Sequence, residues 1–142
     1  MPVVGFHLHK INVERKEDLK EKNLNVQTKL SITDIREEKA EDLSKEKSVL
    51  SFDFDFNIEY EPDAAKIHFE GHVMYVDSRA KAKAILNDWK KKKIEEDLGM
   101  LIRNVVWTKC SLKSFFLEDE VGLPLHVPIP RIVKKSGSEF VG

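Results

Sequence analysis

The stretch SVLSFDFDFNIEYEP, Ser48 to Pro62, puts an apolar side chain on every second residue. Leu50, Phe52, Phe54, Phe56, Ile58 and Tyr60 alternate with Ser51, Asp53, Asp55, Asn57 and Glu59. Period two is the periodicity of a strand, so one face is a wall of aromatics and the other carries a row of acids. Burying one Phe is worth about 1.5–3 kcal/mol. The aromatic face therefore demands a covering layer, and Phe52, Phe54 and Phe56 are the expected anchors of the core.

Three other segments share this pattern. A first strand is expected from Val3 to Val13, but its phase slips: Phe6 and Leu8 are even, Ile11 and Val13 odd. Such a slip predicts a bulge near His9 and Lys10. In NLNVQTKLSITDI, Leu24, Val26, Thr28, Leu30 and Ile32 share one face. In AKIHFEGHVMYVD, Ile67, Phe69, Val73 and Tyr75 point inward, and Gly71 interrupts that face as a bend or close approach would require. Pro62 and Asp63 predict the turn that precedes this strand. Two charged connections, ERKEDLKEKN and REEKAEDLSKEK, separate the earlier strands.

From Ser78 the period becomes helical. Ser78 is an N-cap candidate for RAKAKAILNDWKKKK, with Ala82, Ile85, Leu86 and Trp89 as its apolar stripe. The run Lys90 to Lys93 suits the helix end. A longer helix is expected over Glu95 to Leu117, with Leu98, Leu101, Ile102, Val105, Val106, Leu112, Phe115 and Phe116 on a broad seam. Gly122 is placed to end it in a left-handed conformation. Next comes GLPLHVPIP, whose three prolines exclude helix and central strand. Its apolar residues Leu123, Leu125, Val127 and Ile129 must pack on something. Strands first and helices after define an α+β domain over residues 1–133, with a flexible tail at 134–142. Because each strand has a single apolar face, the sheet is expected to be antiparallel with both helices on that face.

Charge excludes some functions. The chain has 24 basic and 25 acidic residues and a formal net charge of -1, without the basic excess of a nucleic-acid protein. The polar face of the aromatic strand is acidic, which also counts against RNA binding. There is one cysteine, Cys110, as expected in a reducing compartment, where it reads as a packing residue. No apolar run is long enough to span a membrane, and MPVVGFHLHK lacks a secretory signal pattern, so a cytoplasmic location is expected. No nucleotide loop, dinucleotide fingerprint, nucleophile elbow, zinc-protease motif or paired-cysteine motif is present. The chain is not expected to be an enzyme or to need a cofactor.

The opening FHLHKINVE, the order of strands then long helix, and FFLEDEVGLPLHVPIP together resemble the SecB-like chaperone family, in a divergent branch of archaeal type. The resemblance covers about Phe6 to Arg131. It implies a four-stranded antiparallel Greek-key sheet with the first strand beside the fourth, followed by two helices packed on one face. It also implies a homo-oligomer, a dimer or tetramer, assembled partly through helices. The implied function is that of an ATP-independent holdase, which binds unfolded or preprotein polypeptides in apolar grooves and serves protein export. By this resemblance Trp107, Phe115, Phe116, Leu123, Leu125, Val127 and Ile129 are client-binding candidates. The acidic row Asp53, Asp55 and Glu59 is the candidate docking face for an export partner. The alternative is an adaptor of the same fold that binds one dedicated protein. If the first and fourth strands are neighbours, His7, His9, His68 and His72 are brought together. No carboxylate or cysteine completes a metal site evident from sequence, so no metal is expected.

Overall fold

The computed structural model describes residues 3–16, 24–39, 46–130 and 132. Strands β1 (Val3–Arg15), β2 (Asn25–Glu38), β3 (Lys47–Glu61) and β4 (Ala65–Ser78) precede helices α1 (Arg79–Lys90) and α2 (Glu96–Val121). The sheet order is β1-β4-β3-β2, and all three pairings are antiparallel. β1 thus lies beside β4, as the resemblance implies, and the chain crosses from one edge of the sheet to the other between β1 and β2. The tail from residue 133 onward, and the middle of each charged connection, lie outside the described residues.

The period-two pattern decides which face is inside. Phe52, Phe56 and Ile58 are fully buried on β3, as are Ile67, Phe69 and Val73 on β4. Phe56 stacks on Phe69, its register partner, with ring centroids 6.0 Å apart. The β1–β4 register slips between Leu8 and Lys10, so His9 is an extra residue. This is the bulge that the phase slip predicts. Phe6 and Val13 remain packed against the core on either side of it. Gly71 sits opposite this bulge and has no room for a side chain: a Cβ there would lie 2.2 Å from the His7 carbonyl oxygen and 2.9 Å from the Phe54 ring. The close approach of two backbones is the physical reason for the glycine.

Ser78 caps α1 by accepting from the Lys81 N–H at 3.3 Å. α1 then crosses to β2, where the Trp89 indole N–H donates to Asp34 at 3.1 Å and Lys92 covers the Trp89 ring. α2 ends at Gly122 with φ 69, the left-handed cap. Its 26 residues run roughly 39 Å, enough to pass from the Tyr75 end of the sheet to the Tyr60 end. The buried seam matches the expected one at Leu98, Ile102 and Val106 and departs from it further on. It is Leu98, Ile102, Val106, Cys110, Ser114 and Glu118, at successive four-residue steps. Each such step turns about 40° around the helix, so the seam drifts across the helix as it passes over the twisted sheet. Leu112 and Phe116, expected in the seam, face away from it and are exposed, whereas Cys110, which was not, is fully buried.

Burial pushes the Cys110 thiol up to about 12. We expect Cys110 to resist a thiol reagent in the folded protein at about pH 8 and to react fully once denatured, since the thiolate is the nucleophile. Labelling at equal rates in both states would contradict its place in the seam.

Candidate functional site

Coverage of the inner sheet face is uneven. Every inward residue of the central strands from Phe52 to Tyr60 and from Ile67 to Tyr75 is buried. Most of those of the edge strands are only partly so: Phe6, Leu8 and Val13 on β1, and Val26, Leu30 and Ile32 on β2, although Ile35 of β2 is buried. Among the described residues, two helices on a four-stranded sheet close its middle and leave both flanks half open. On the β2 flank, Leu30, Ile32, Trp89 and Ile94 line a cavity of ≈ 670 Å³ rimmed by Lys92, Lys93 and Arg103. A second cavity, ≈ 390 Å³, lies between α1, the start of α2 and Tyr75.

The proline segment after α2 forms a strap held by a buried polar latch. Glu118 is fully buried. Its carboxylate accepts from the His126 backbone N–H at 2.9 Å and lies 3.0 Å from His126 Nδ1. The Tyr60 hydroxyl lies against the same carboxyl group and 2.8 Å from the Pro124 carbonyl. His126 Nε2 is 3.1 Å from the Ser111 hydroxyl. A neutral ring protonated at Nδ1 donates to Glu118 and accepts from Ser111, which satisfies all three groups. Burial, with Glu118 adjacent, raises the Tyr60 hydroxyl well above its ordinary range, so it stays a donor. Serine, histidine and carboxylate stand in the order of a hydrolytic triad. Yet the His126 side chain has no exposed surface and Ser111 is 7% exposed, so no substrate reaches them in this conformation. The arrangement works as a fastening.

The expected client-binding residues divide around this latch. Trp107 packs edge-on to Phe56 and His126, with centroids 6.0 Å away in each case, and remains 38% exposed. Phe115 packs on His126 at 5.1 Å. Leu125 and Ile129 stand exposed on the strap, and Val127 is half-buried. Leu123 belongs instead to the core. Phe116 lies on the outer face of α2 with Leu112, away from the strap. The β2 flank was not identified from sequence, although Leu30, Ile32 and Trp89 were each read as inward-facing.

The acidic row is paired rather than free. Asp53 accepts from Arg36 at 2.9 and 3.2 Å, Asp55 lies 2.7 Å from His68 Nε2, and Glu59 is 4.0 Å from Lys29. The four histidines do not form one group. His68 joins Asp55 and Glu70, whose donor atoms with it fall within 4.8 Å of one another. His7, His9 and His72 gather separately. A carboxylate pair therefore does accompany one histidine, contrary to the sequence reading, because the β3–β4 register sets Asp55 opposite Glu70.

No family model matches the chain, and no curated protein matches it. Among solved structures it is similar to a SecB-like chaperone of Mycobacterium tuberculosis, solved in complex with a ChAD peptide from the HigA1 antitoxin. The two share 11% identity with a TM-score of 0.51, over 94% of this chain and 91% of the other. This likeness is one of fold.

Proposed function

We propose that the chain is an ATP-independent polypeptide-binding protein of chaperone type, which holds extended, unfolded segments in apolar grooves beside α2. The observation that carries this is the inner sheet face, closed over β3 and β4 but half open along both edge strands. Trp107, Leu125 and Ile129 extend the apolar surface onto the strap. The fold is one on which a SecB-like chaperone has been solved with a peptide, which supports the reading. Burial of client apolar surface supplies the attraction, and the open edges of β1 and β2 offer main-chain pairing to an extended segment. Binding the unfolded state slows its aggregation and refolding.

The outer stripe of α2, including Leu112 and Phe116, suits a second copy of the chain in a dimer or tetramer. Any export partner that docks on Asp53, Asp55 and Glu59 must displace Arg36, His68 and Lys29 from them. A cytoplasmic location agrees with the reading; among the described residues no helix is long and apolar enough to cross a membrane.

The test is suppression of aggregation of a chemically unfolded client, with mass measured on the same sample by light scattering. Stoichiometric suppression without nucleotide is expected. Leu125→Asp and Ile129→Asp are expected to weaken client affinity about tenfold each, because a charge enters the apolar contact. A folded sample without effect on several unrelated clients would leave the second reading, an adaptor for one dedicated protein. That reading is favoured by the neighbour's peptide, which comes from a single defined antitoxin.

A further inference from the structure

The outer face of the sheet carries an imidazole group that the grooves do not use. His7 and His72 are direct partners across β1 and β4. His9 is the extra residue of the bulge, free of the ladder, and its side chain turns to the same outer face. There His9 Nε2 lies 2.5 Å from His72 Nδ1. The His9 and His7 ring centroids are 4.6 and 5.1 Å from that of His72. Among the described residues, the His9–His72 contact is the only side-chain hydrogen bond that any of these rings makes. Three neutral imidazoles offer three lone-pair nitrogens, and one N–H···N contact occupies one of them. Two remain without a protein donor.

The facing acid is already engaged. The acid that faces His72 from β3 is Asp53, and both of its oxygens are taken by Arg36 from β2. Neutral imidazole is the form that binds metal.

We propose that His9 and His72 clamp a borderline divalent transition metal such as Zn²⁺, Ni²⁺ or Cu²⁺, and that the exposed His7 ring turns in as third donor. Imidazole donors suit these ions. Zn–N bonds of about 2.0–2.1 Å in tetrahedral geometry place two nitrogens roughly 3.3 Å apart. The exposed His9 ring therefore has to withdraw by roughly 1 Å to admit the ion, and water completes the coordination. The bulge supplies the geometry: it adds an imidazole above a cross-strand histidine pair without disturbing the core face. Asp55, His68 and Glu70 are the rival donors, with donor atoms already within 4.8 Å of one another, and His68→Ala separates the two sites.

The test is calorimetric titration of Zn²⁺ into the untagged protein at about pH 7.5, where unperturbed histidines are neutral. One ion per chain is expected. His9→Ala and His72→Ala are each expected to weaken binding at least about tenfold, and His68→Ala to leave it unchanged. At about pH 5.5 protonation competes with the ion, and affinity falls at least about tenfold. Circular dichroism checks folding; His9, an exposed bulge residue, carries the test if His72→Ala does not fold. Absence of binding at millimolar Zn²⁺ overturns the proposal. So does binding that survives His9→Ala and His72→Ala but is lost in His68→Ala.

Discussion

Replacing Gly71 with alanine lowers the stability of the fold by about 3 kcal/mol or more, an overpacking cost at the upper end for a single methyl. The added carbon would meet the His7 carbonyl oxygen at 2.2 Å and the Phe54 ring at 2.9 Å. Neither can yield cheaply: the first is backbone of the neighbouring strand, and the second is a ring 2% exposed in the core. β1 must leave β4, or Phe54 must leave its rotamer. For a domain of this size the change lowers Tm by about 10 °C. Gly122→Ala is the comparison. A Cβ there would have nothing within 4 Å, so only the left-handed φ of 69 opposes it, at a cost of about 1 kcal/mol. Equal melting of Gly71→Ala and the parent protein would show that the β1–β4 register is wrong.

Glu118→Ala has the second large effect, about 3 kcal/mol, and it reads out locally as well as globally. The substitution removes the acceptor of the His126 N–H and the fully buried partner of the Tyr60 hydroxyl and the His126 ring. The His126 N–H and Nδ1 are left without a partner and the Tyr60 hydroxyl keeps only the Pro124 carbonyl, which is costlier than losing the bonds alone. The strap detaches, and with it the ring that packs on Trp107. The Trp107 emission shifts to the red, and protease cleaves the chain between Leu123 and Pro130 first. Tyr60→Phe costs about 1 kcal/mol, because Glu118 keeps its bonds to His126. If Glu118→Ala retains full protease resistance in the strap, the latch does not hold it.

The strands were legible because each states its inner face at period two. Even the bulge at His9 could be read, since Phe6 with Leu8 and Ile11 with Val13 fall in opposite phases. Ser78 and Gly122 marked helix ends by local chemistry that depends on no distant partner. The α2 seam was legible through Leu98, Ile102 and Val106 but not beyond. In the C-terminal half Ser111, Ser114 and Glu118 are buried while Leu112 and Phe116 are exposed, so counting apolar residues there selects the wrong side. Glu118 is buried because Tyr60, 58 residues away, and His126 satisfy it, and no periodicity carries that fact. The pairing of Asp53, Asp55 and Glu59 depends likewise on register between strands. The half-open β2 flank is a property of how much sheet two helices can cover, which composition does not state.

The central claim is that apolar surface beside α2 binds extended polypeptide. Trp107 reports on it directly, because it is half out of the core beside Phe56 and His126, and Trp89 is the one other tryptophan. In a Trp89→Phe background, an unfolded apolar polypeptide is titrated against Trp107 emission. The account predicts a saturable blue shift without nucleotide, with micromolar affinity, weakened about tenfold by Leu125→Asp. A flat emission spectrum at saturating polypeptide, from a chain that melts normally, would contradict it.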